Sequence, residues 1–159
     1  MIVKPDYTFE NIYEIDFEQL KKDGIKALLF DLDSTVMPSK SGIFPAEVIE
    51  LFEKLKQDFY LAIVSNNNKE NYMNKARAQV DFTVLSNAKK PDKTVILNCL
   101  KSSQIEPKNA AMIGDRPLTD ILAGKFAGTK TVLVDSITKN SEAKIVRFAR
   151  FLERLTVRK

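Results

Sequence analysis

The stretch Ile25-Lys-Ala-Leu-Leu-Phe30-Asp31-Leu32-Asp33-Ser34-Thr35 decides the reading of this chain. An apolar run drives straight into two carboxylates spaced i, i+2, which predicts a buried strand over 25–30 that leaves the core at Asp31. In a parallel α/β sheet, ligands bind beyond the carboxyl ends of the strands, so Asp31 and Asp33 fall where chemistry is done. Taken alone, an Asp-x-Asp reads equally well as a turn at a strand end, because aspartate is a common turn former. The rest of the chain shifts that balance.

Outward from this stretch, strand-like and helix-like segments alternate, the pattern of a parallel sheet with helices on both faces. A helix is expected over 45–57, opened by Pro45, and a strand over 60–64. Asn67 followed by Glu70 reads as a capping box for a helix to about residue 79. A short strand over 82–85 follows, then a helix from Pro91 to about residue 101 and a strand over 110–113 ending in Gly114-Asp115. A short helix over 118–127 closed by Gly128 leads to a fifth strand over 131–134. The first 24 residues are expected to form a strap with a short helix near 17–22, and 141–156 a last helix. The fold class is therefore α/β, a Rossmann-like five-stranded parallel sheet, in a single domain over 1–159.

Composition removes several chemistries. The chain has no histidine, which excludes Ser-His-Asp hydrolysis, Cys-His proteolysis and phosphohistidine transfer. Cys99 is the only cysteine, and the sixth residue after it is Ile105, so a Cys-x5-Arg phosphatase is excluded too. A single cysteine forms no intramolecular disulfide and fits a reducing compartment. No apolar stretch approaches the roughly 20 residues that span a bilayer, and the first residues lack the basic start and apolar core of a secretory signal. The expected location is cytoplasmic. Acid–base work must fall to carboxylates, lysine or tyrosine.

Four polar clusters follow four successive strands: Asp31, Asp33 and Thr35; then Ser65 and Asn66; then Lys89 and Lys90; then Asp115 and Asp120. All four can converge on one rim of the sheet. Together they supply what phosphoryl transfer needs: carboxylates for Mg²⁺, a carboxylate to attack phosphorus, and a hydroxyl and an ammonium for the equatorial oxygens. Spacing alone leaves open which of Lys89 and Lys90 enters the site. Ser65 and Asn66 read also as caps of the next helix, and Asp120 as a helix-terminus charge.

Phe-Asp-Leu-Asp-Ser-Thr-Val (30–36), Val-Ser-Asn (64–66), Ala-Lys-Lys-Pro (88–91) and Ile-Gly-Asp-Arg-Pro-Leu-Thr-Asp (113–120) resemble, in order, the four motifs of the haloacid dehalogenase (HAD) superfamily of phosphohydrolases. More narrowly, the chain looks like the YqeG-type proteins of subclass IIIA, related to phosphatidylglycerophosphatases. That likeness includes Asn-Ile-Tyr-Glu-Ile-Asp at 11–16 and Leu-Thr-Asp-Ile-Leu-Ala-Gly at 118–124, and it runs from about Pro5 to Ser136. The resemblance implies that Asp31 is the nucleophile and forms an aspartyl-phosphate. Asp33 would protonate the leaving oxygen and then activate water. Ser65, Asn66 and Lys90 would bind phosphoryl oxygens, with Lys90 favoured over Lys89 by the family's Lys-Pro. Asp31, Asp115 and the backbone carbonyl of Asp33 would hold Mg²⁺, with Thr35 and Asp120 supporting. Arg116 stands where the family pattern has glutamine and would add a contact to an anionic substrate. Phosphatidylglycerophosphate is the substrate class the resemblance suggests.

Thirty-one residues separate Asp33 from Ser65 and 24 separate Ser65 from Lys90, and both intervals are already filled by a helix and a strand. Neither leaves room for a cap domain. An uncapped site accepts a phosphate on something large, such as a lipid head group. Two rivals share the outline. A signalling receiver would need adjacent acids after its first strand and an acceptor aspartate after its third, where this chain has Leu85-Ser86-Asn87. A non-catalytic HAD-fold adaptor would bind an anionic partner, whether membrane, RNA or ribosome, through the basic end of the chain, but would have no need of intact acids. A dinucleotide site is unsupported, since no Gly-x-Gly-x-x-Gly follows any strand.

Charge is unevenly spread. Residues 139–159 carry seven Lys/Arg against Glu142 and Glu153, a net +5, which leaves the first 138 residues at −1. In the expected final helix, Ile145, Phe148, Ala149, Leu152 and Leu155 share one face, with Lys144, Arg147, Arg150, Arg154 and Arg158 opposite. Such a helix either packs on the core with a solvated basic face or lies peripherally on an anionic membrane, where each basic residue contributes about 1 kcal/mol. On the membrane reading, replacing Arg147, Arg150 and Arg154 with glutamine weakens co-sedimentation with anionic vesicles, most clearly at low salt, and leaves hydrolysis of a small soluble phosphate unchanged. Absence of vesicle binding by the unaltered chain at low salt would exclude that reading.

Overall fold

The computed structural model describes residues 3–137 together with Glu153, Leu155 and Val157. The expected helix over 141–156 otherwise lies outside the described residues. In chain order the elements are β1 (Tyr7–Thr8), a 3-10 turn (Ile12–Glu14), α1 (Phe17–Lys22), β2 (Ala27–Phe30), α2 (Ala46–Leu55), β3 (Tyr60–Val64) and α3 (Glu70–Arg77). Then come β4 (Thr83–Leu85), α4 (Thr94–Ser102), β5 (Ala110–Gly114), a π turn (Pro117–Ile121), α5 (Leu122–Ala127) and β6 (Lys130–Leu133).

All strands are parallel, in the order β1-β6-β5-β2-β3-β4. The chain winds from β2 outward through β3 to β4, then returns to the other side of β2 for β5 and β6. The order therefore reverses between β2 and β5, the place where open α/β sheets present their ligand crevice. β2 lies in the middle of the sheet with every residue inaccessible. Its side chains alternate between two cores, as strand geometry requires. Leu28 and Phe30 face the layer of α1, α2 and α3, against Leu20, Val48, Phe52 and Met73. Ala27 and Leu29 face α4 and α5, against Ile96, Leu100, Ala123 and Ala127. Phe52 anchors the first layer, its ring centroid 5.6 Å from Phe30, 5.6 Å from Phe44 and 5.1 Å from Phe82.

Three expectations need correction. The sheet has six strands rather than five: within the strap, Tyr7 and Thr8 pair with Val132 and Leu133. Asp6 pins this edge by accepting from the backbone N–H of Thr131 at 2.9 Å and its hydroxyl at 3.0 Å. Asn67 makes no capping box; its side chain accepts from Lys69 N at 2.9 Å, closing a turn ahead of α3, which starts at Glu70. Pro91 does not open α4. It follows a cis peptide bond, and the helix begins at Thr94, whose N–H Asp92 accepts at 2.7 Å. No domain is inserted between Asp33 and Ser65 or between Ser65 and Lys90, so the site has no cap there.

Gly124 is where α5 meets the sheet most closely. A Cβ there would lie 2.8 Å from Thr131 Cγ2, 2.9 Å from Met112 Cβ and 2.9 Å from Thr129 Oγ1. Two of these belong to strands, which cannot yield without moving backbone. Gly124→Ala is therefore expected to destabilise the fold by about 1–3 kcal/mol. Thermal unfolding checks this, with a melting point lowered by roughly 2–4 °C per kcal/mol.

Candidate active site

Four loops at the carboxyl ends of β2, β3, β4 and β5 meet over a cleft of about 270 Å³ lined by Asp31, Asp33, Ser65, Asn66, Lys90, Arg116 and Asp120, among others. At its centre is the ammonium of Lys90, whose side chain is only 1% exposed. It donates to Asp31 Oδ1 at 2.9 Å and to Asp120 Oδ1 at 2.7 Å. Burial alone would drive the Lys90 proton off, but the charges of Asp120 and Asp31 outweigh it and hold the pKa above the ordinary lysine value. Asp120 shows the opposing strain. Burial and the charge of Asp31 push its carboxyl up to about 6, although Lys90 and the backbone of Arg116 pull it down.

Lys89 is exposed and Lys90 buried, so it is Lys90 that enters the cleft. Asn66 is the reason its backbone is fixed there. The carboxamide, which also lines the cleft, grips the main chain of Lys90, accepting from its N–H at 2.7 Å and donating to its carbonyl at 3.1 Å. Ser65 is buried, and its hydroxyl accepts from Asn67 N at 3.1 Å.

Asp120 also braces the loop after β5. Its Oδ2 accepts from the backbone N–H groups of Asp115 and Arg116, both at 3.1 Å. That arrangement explains Gly114: a Cβ at this position would stand 2.3 Å from Asp120 Oδ2. Thr35 does the same work for the neighbouring acid, its hydroxyl donating to Asp115 Oδ1 at 2.8 Å and lying 3.5 Å from Asp31 Oδ2. Ligand oxygens of Asp31, Asp115 and Asp120 all lie within 4.8 Å of one another. Three carboxylates against one ammonium leave excess negative charge, and hard oxygen donors are what Mg²⁺ or a similar cation takes. The donor set fits a divalent metal.

Asp33 stands apart from that cluster. Tyr72 of α3 donates to its Oδ1 at 2.5 Å, and Asn67 Nδ2 lies 3.4 Å from Oδ2. Sequence reasoning missed Tyr72; the available signal was a tyrosine in the first turn of the helix after the second polar cluster. Arg116, expected to reach an anionic substrate, is ion-paired with Glu153. Its Nε donates to Glu153 Oε2 at 3.1 Å, and a second N–H bonds the other carboxylate oxygen.

Comparison with known proteins agrees with this geometry. The sequence profile of the family described as mitochondrial PGP phosphatase matches residues 1–138. The chain is 29% identical over 150 residues to the probable phosphatase YqeG of Bacillus subtilis, covering 94% of this chain and 87% of that one. It is 31% identical over 167 residues to phosphatidylglycerophosphate phosphatase 1, chloroplastic/mitochondrial, of Arabidopsis thaliana, covering 95% of this chain and 46% of that protein; the chain spans less than half of that relative. A HAD phosphatase from Thermococcus onnurineus superposes with a TM-score of 0.58 at 16% identity, over 75% of this chain and 89% of the other, a likeness of fold.

Because Thr35 orients a carboxylate of the acidic cluster, Thr35→Val should weaken binding of a divalent cation by about 10- to 100-fold, the usual loss when a partner behind a metal ligand is removed. Calorimetric titration with Mg²⁺, beside the cation dependence of phosphatase activity, measures it. Unchanged affinity would remove Thr35 from the site.

Proposed function

This chain belongs to the mitochondrial PGP phosphatase family, within the HAD-superfamily phosphatases, and we propose that it hydrolyses phosphate monoesters with Mg²⁺ through an aspartyl-phosphate formed on Asp31. The observation that carries this reading is the placement of Asp31 at the end of β2, inside the cleft, with one oxygen held by Lys90 and Asp33 two residues on. A carboxylate so oriented has an attacking oxygen fixed near a bound phosphoryl group, which removes much of the entropic cost of the encounter.

In this mechanism Lys90 and Ser65 bind phosphoryl oxygens. Asp31 attacks phosphorus, and the bond to the ester oxygen breaks. Asp33 gives its proton to the departing alkoxide, which leaves as the alcohol. The Asp33 carboxylate then takes a proton from water as that water attacks the phosphorus of the aspartyl-phosphate, releasing phosphate and restoring Asp31. Asp31, Asp115 and the backbone carbonyl of Asp33 would hold the metal, with Asp120 and Thr35 behind them. When bound, the cation supplies charge neutralisation for a phosphate that the carboxylates would otherwise repel.

For the substrate we infer a phosphate carried on a large group, phosphatidylglycerophosphate in particular. The uncapped cleft and the 31% identity to the Arabidopsis relative of that name support it. A cytoplasmic protein peripheral to an anionic membrane suits such a substrate. Among the described residues no helix is long and apolar enough to cross a membrane.

Asp31→Asn should abolish hydrolysis of both a lipid phosphate in mixed micelles and a soluble monoester, while circular dichroism and thermal unfolding stay close to wild type. Phosphate release is the measurement. Substantial release by well-folded Asp31→Asn protein would sink the covalent mechanism, and release from the soluble ester alone in the wild type would sink the lipid substrate.

A further inference from the structure

We propose that Tyr72 is a positioning residue for the reaction, holding the Asp33 carboxyl so that a single oxygen is left to exchange the proton; this rests on the mechanism above. Tyr72 stands in the first turn of α3, half-buried and outside the lining of the cleft, so it is placed to act through Asp33. Its hydroxyl donates to Asp33 Oδ1 at 2.5 Å and sits 3.5 Å from the sulfur of Met37, which is fully buried. Burial, reinforced by the hydrogen bond and charge of Asp33, pushes the Tyr72 hydroxyl well above the usual tyrosine range, so it remains a donor.

The two oxygens of Asp33 are thereby made unequal. Oδ1 is engaged by the Tyr72 hydroxyl, so exchange of a proton with the leaving group falls to Oδ2. Asn67 Nδ2 donates to Oδ2 at 3.4 Å, a longer and weaker bond than the one Oδ1 accepts from Tyr72. That leaves Oδ2, the more weakly bonded oxygen, to exchange the proton. The donated bond does two further things. It fixes the carboxyl plane of Asp33 against α3, and it stabilises the carboxylate that forms once the proton has gone to the leaving oxygen. Neither Asp31 nor any member of the acidic cluster has a comparable tyrosine contact among the described residues.

The experiment exploits leaving-group chemistry. An alkyl alkoxide must be protonated as it departs, whereas a nitrophenolate leaves without help. If Tyr72 acts through the proton of Asp33, Tyr72→Phe lowers kcat/KM for glycerol phosphate about tenfold or more, a share of the 10²–10⁴ that a general acid supplies. The value for p-nitrophenyl phosphate falls far less. The phenylalanine keeps the ring and its packing, and a thermal melt run alongside verifies the fold. Equal losses on both substrates, or none on glycerol phosphate, overturn the proposal.

A double-mutant cycle guards against a general loss of structure. In an Asp33→Asn background, Tyr72→Phe should have no further effect on residual turnover of glycerol phosphate; a second loss as large as the first overturns the proposal. Asp31→Asn separates this inference from the mechanism beneath it. Activity surviving Asp31→Asn refutes the covalent reading itself. An inactive Asp31→Asn beside a Tyr72→Phe indistinguishable from wild type refutes only the role of Tyr72.

Discussion

The ammonium of Lys90, held between Asp31 and Asp120, is the contact on which the rest of the site depends. It ties three loops: the one after β2, the one after β4 and the one after β5, the first and last of which are also joined by the Thr35–Asp115 hydrogen bond. A buried charge without its partner typically costs about 3–5 kcal/mol, so none of the three groups is free to leave alone. The sharing also sets the electrostatics. One ammonium serves two carboxylates; burial, with the charge of Asp31, still holds the pKa of Asp120 up, and the acids form a cluster suited to a cation.

Around this contact the backbone is held by side chains that also line the cleft. Asn66 clamps Lys90 from β3, and Asp120 clamps the turn at Asp115 and Arg116. Gly114 has no side chain because Asp120 occupies the space. Ser34 adopts a left-handed backbone at φ 71°, which a residue with a Cβ accepts only when its surroundings insist. Here the loop is closed on both sides: Ser34 N donates to Met37 O at 2.7 Å, and its carbonyl accepts from Ile137 N at 2.7 Å. The fold thus spends hydrogen bonds on the loop that carries Asp31 and Asp33 rather than on the substrate side of the cleft.

Much of this was legible in the sequence because it is periodic or local. The apolar run ending at Asp31, the strand over 60–64 and the short helix over 17–22 coincide with β2, β3 and α1 to within two residues. β1 was not legible: two residues carry no hydrophobic period, and only the pairing with β6 makes them a strand. Asn67 and Pro91 carried the right residue types for helix starts, but tertiary demands of the cleft drew them into turns one to three residues earlier. The four polar clusters were visible as residues, yet the division of labour within them was not. That Asn66 serves Lys90, that Thr35 serves Asp115 and that Tyr72 serves Asp33 are contacts 24, 80 and 39 residues apart in the chain. No local pattern encodes separations of that length.

Burial divides the site into two kinds of group. Lys90, Asp115 and Asp120 are each under 5% exposed, whereas Asp31 and Asp33 are only partly buried. With no domain inserted between the motifs, little among the described residues excludes water from above, so fixed charges act in a low-dielectric setting from below, inside the sheet rim. The buried three occupy that position. The two carboxylates assigned to react are left at the boundary, where an incoming phosphate and a hydrolytic water can both reach them. An enclosed site would give Asp33 its proton discipline by shutting out solvent. In this open one a dedicated donor, Tyr72, has to supply it from the side that faces away from the cleft.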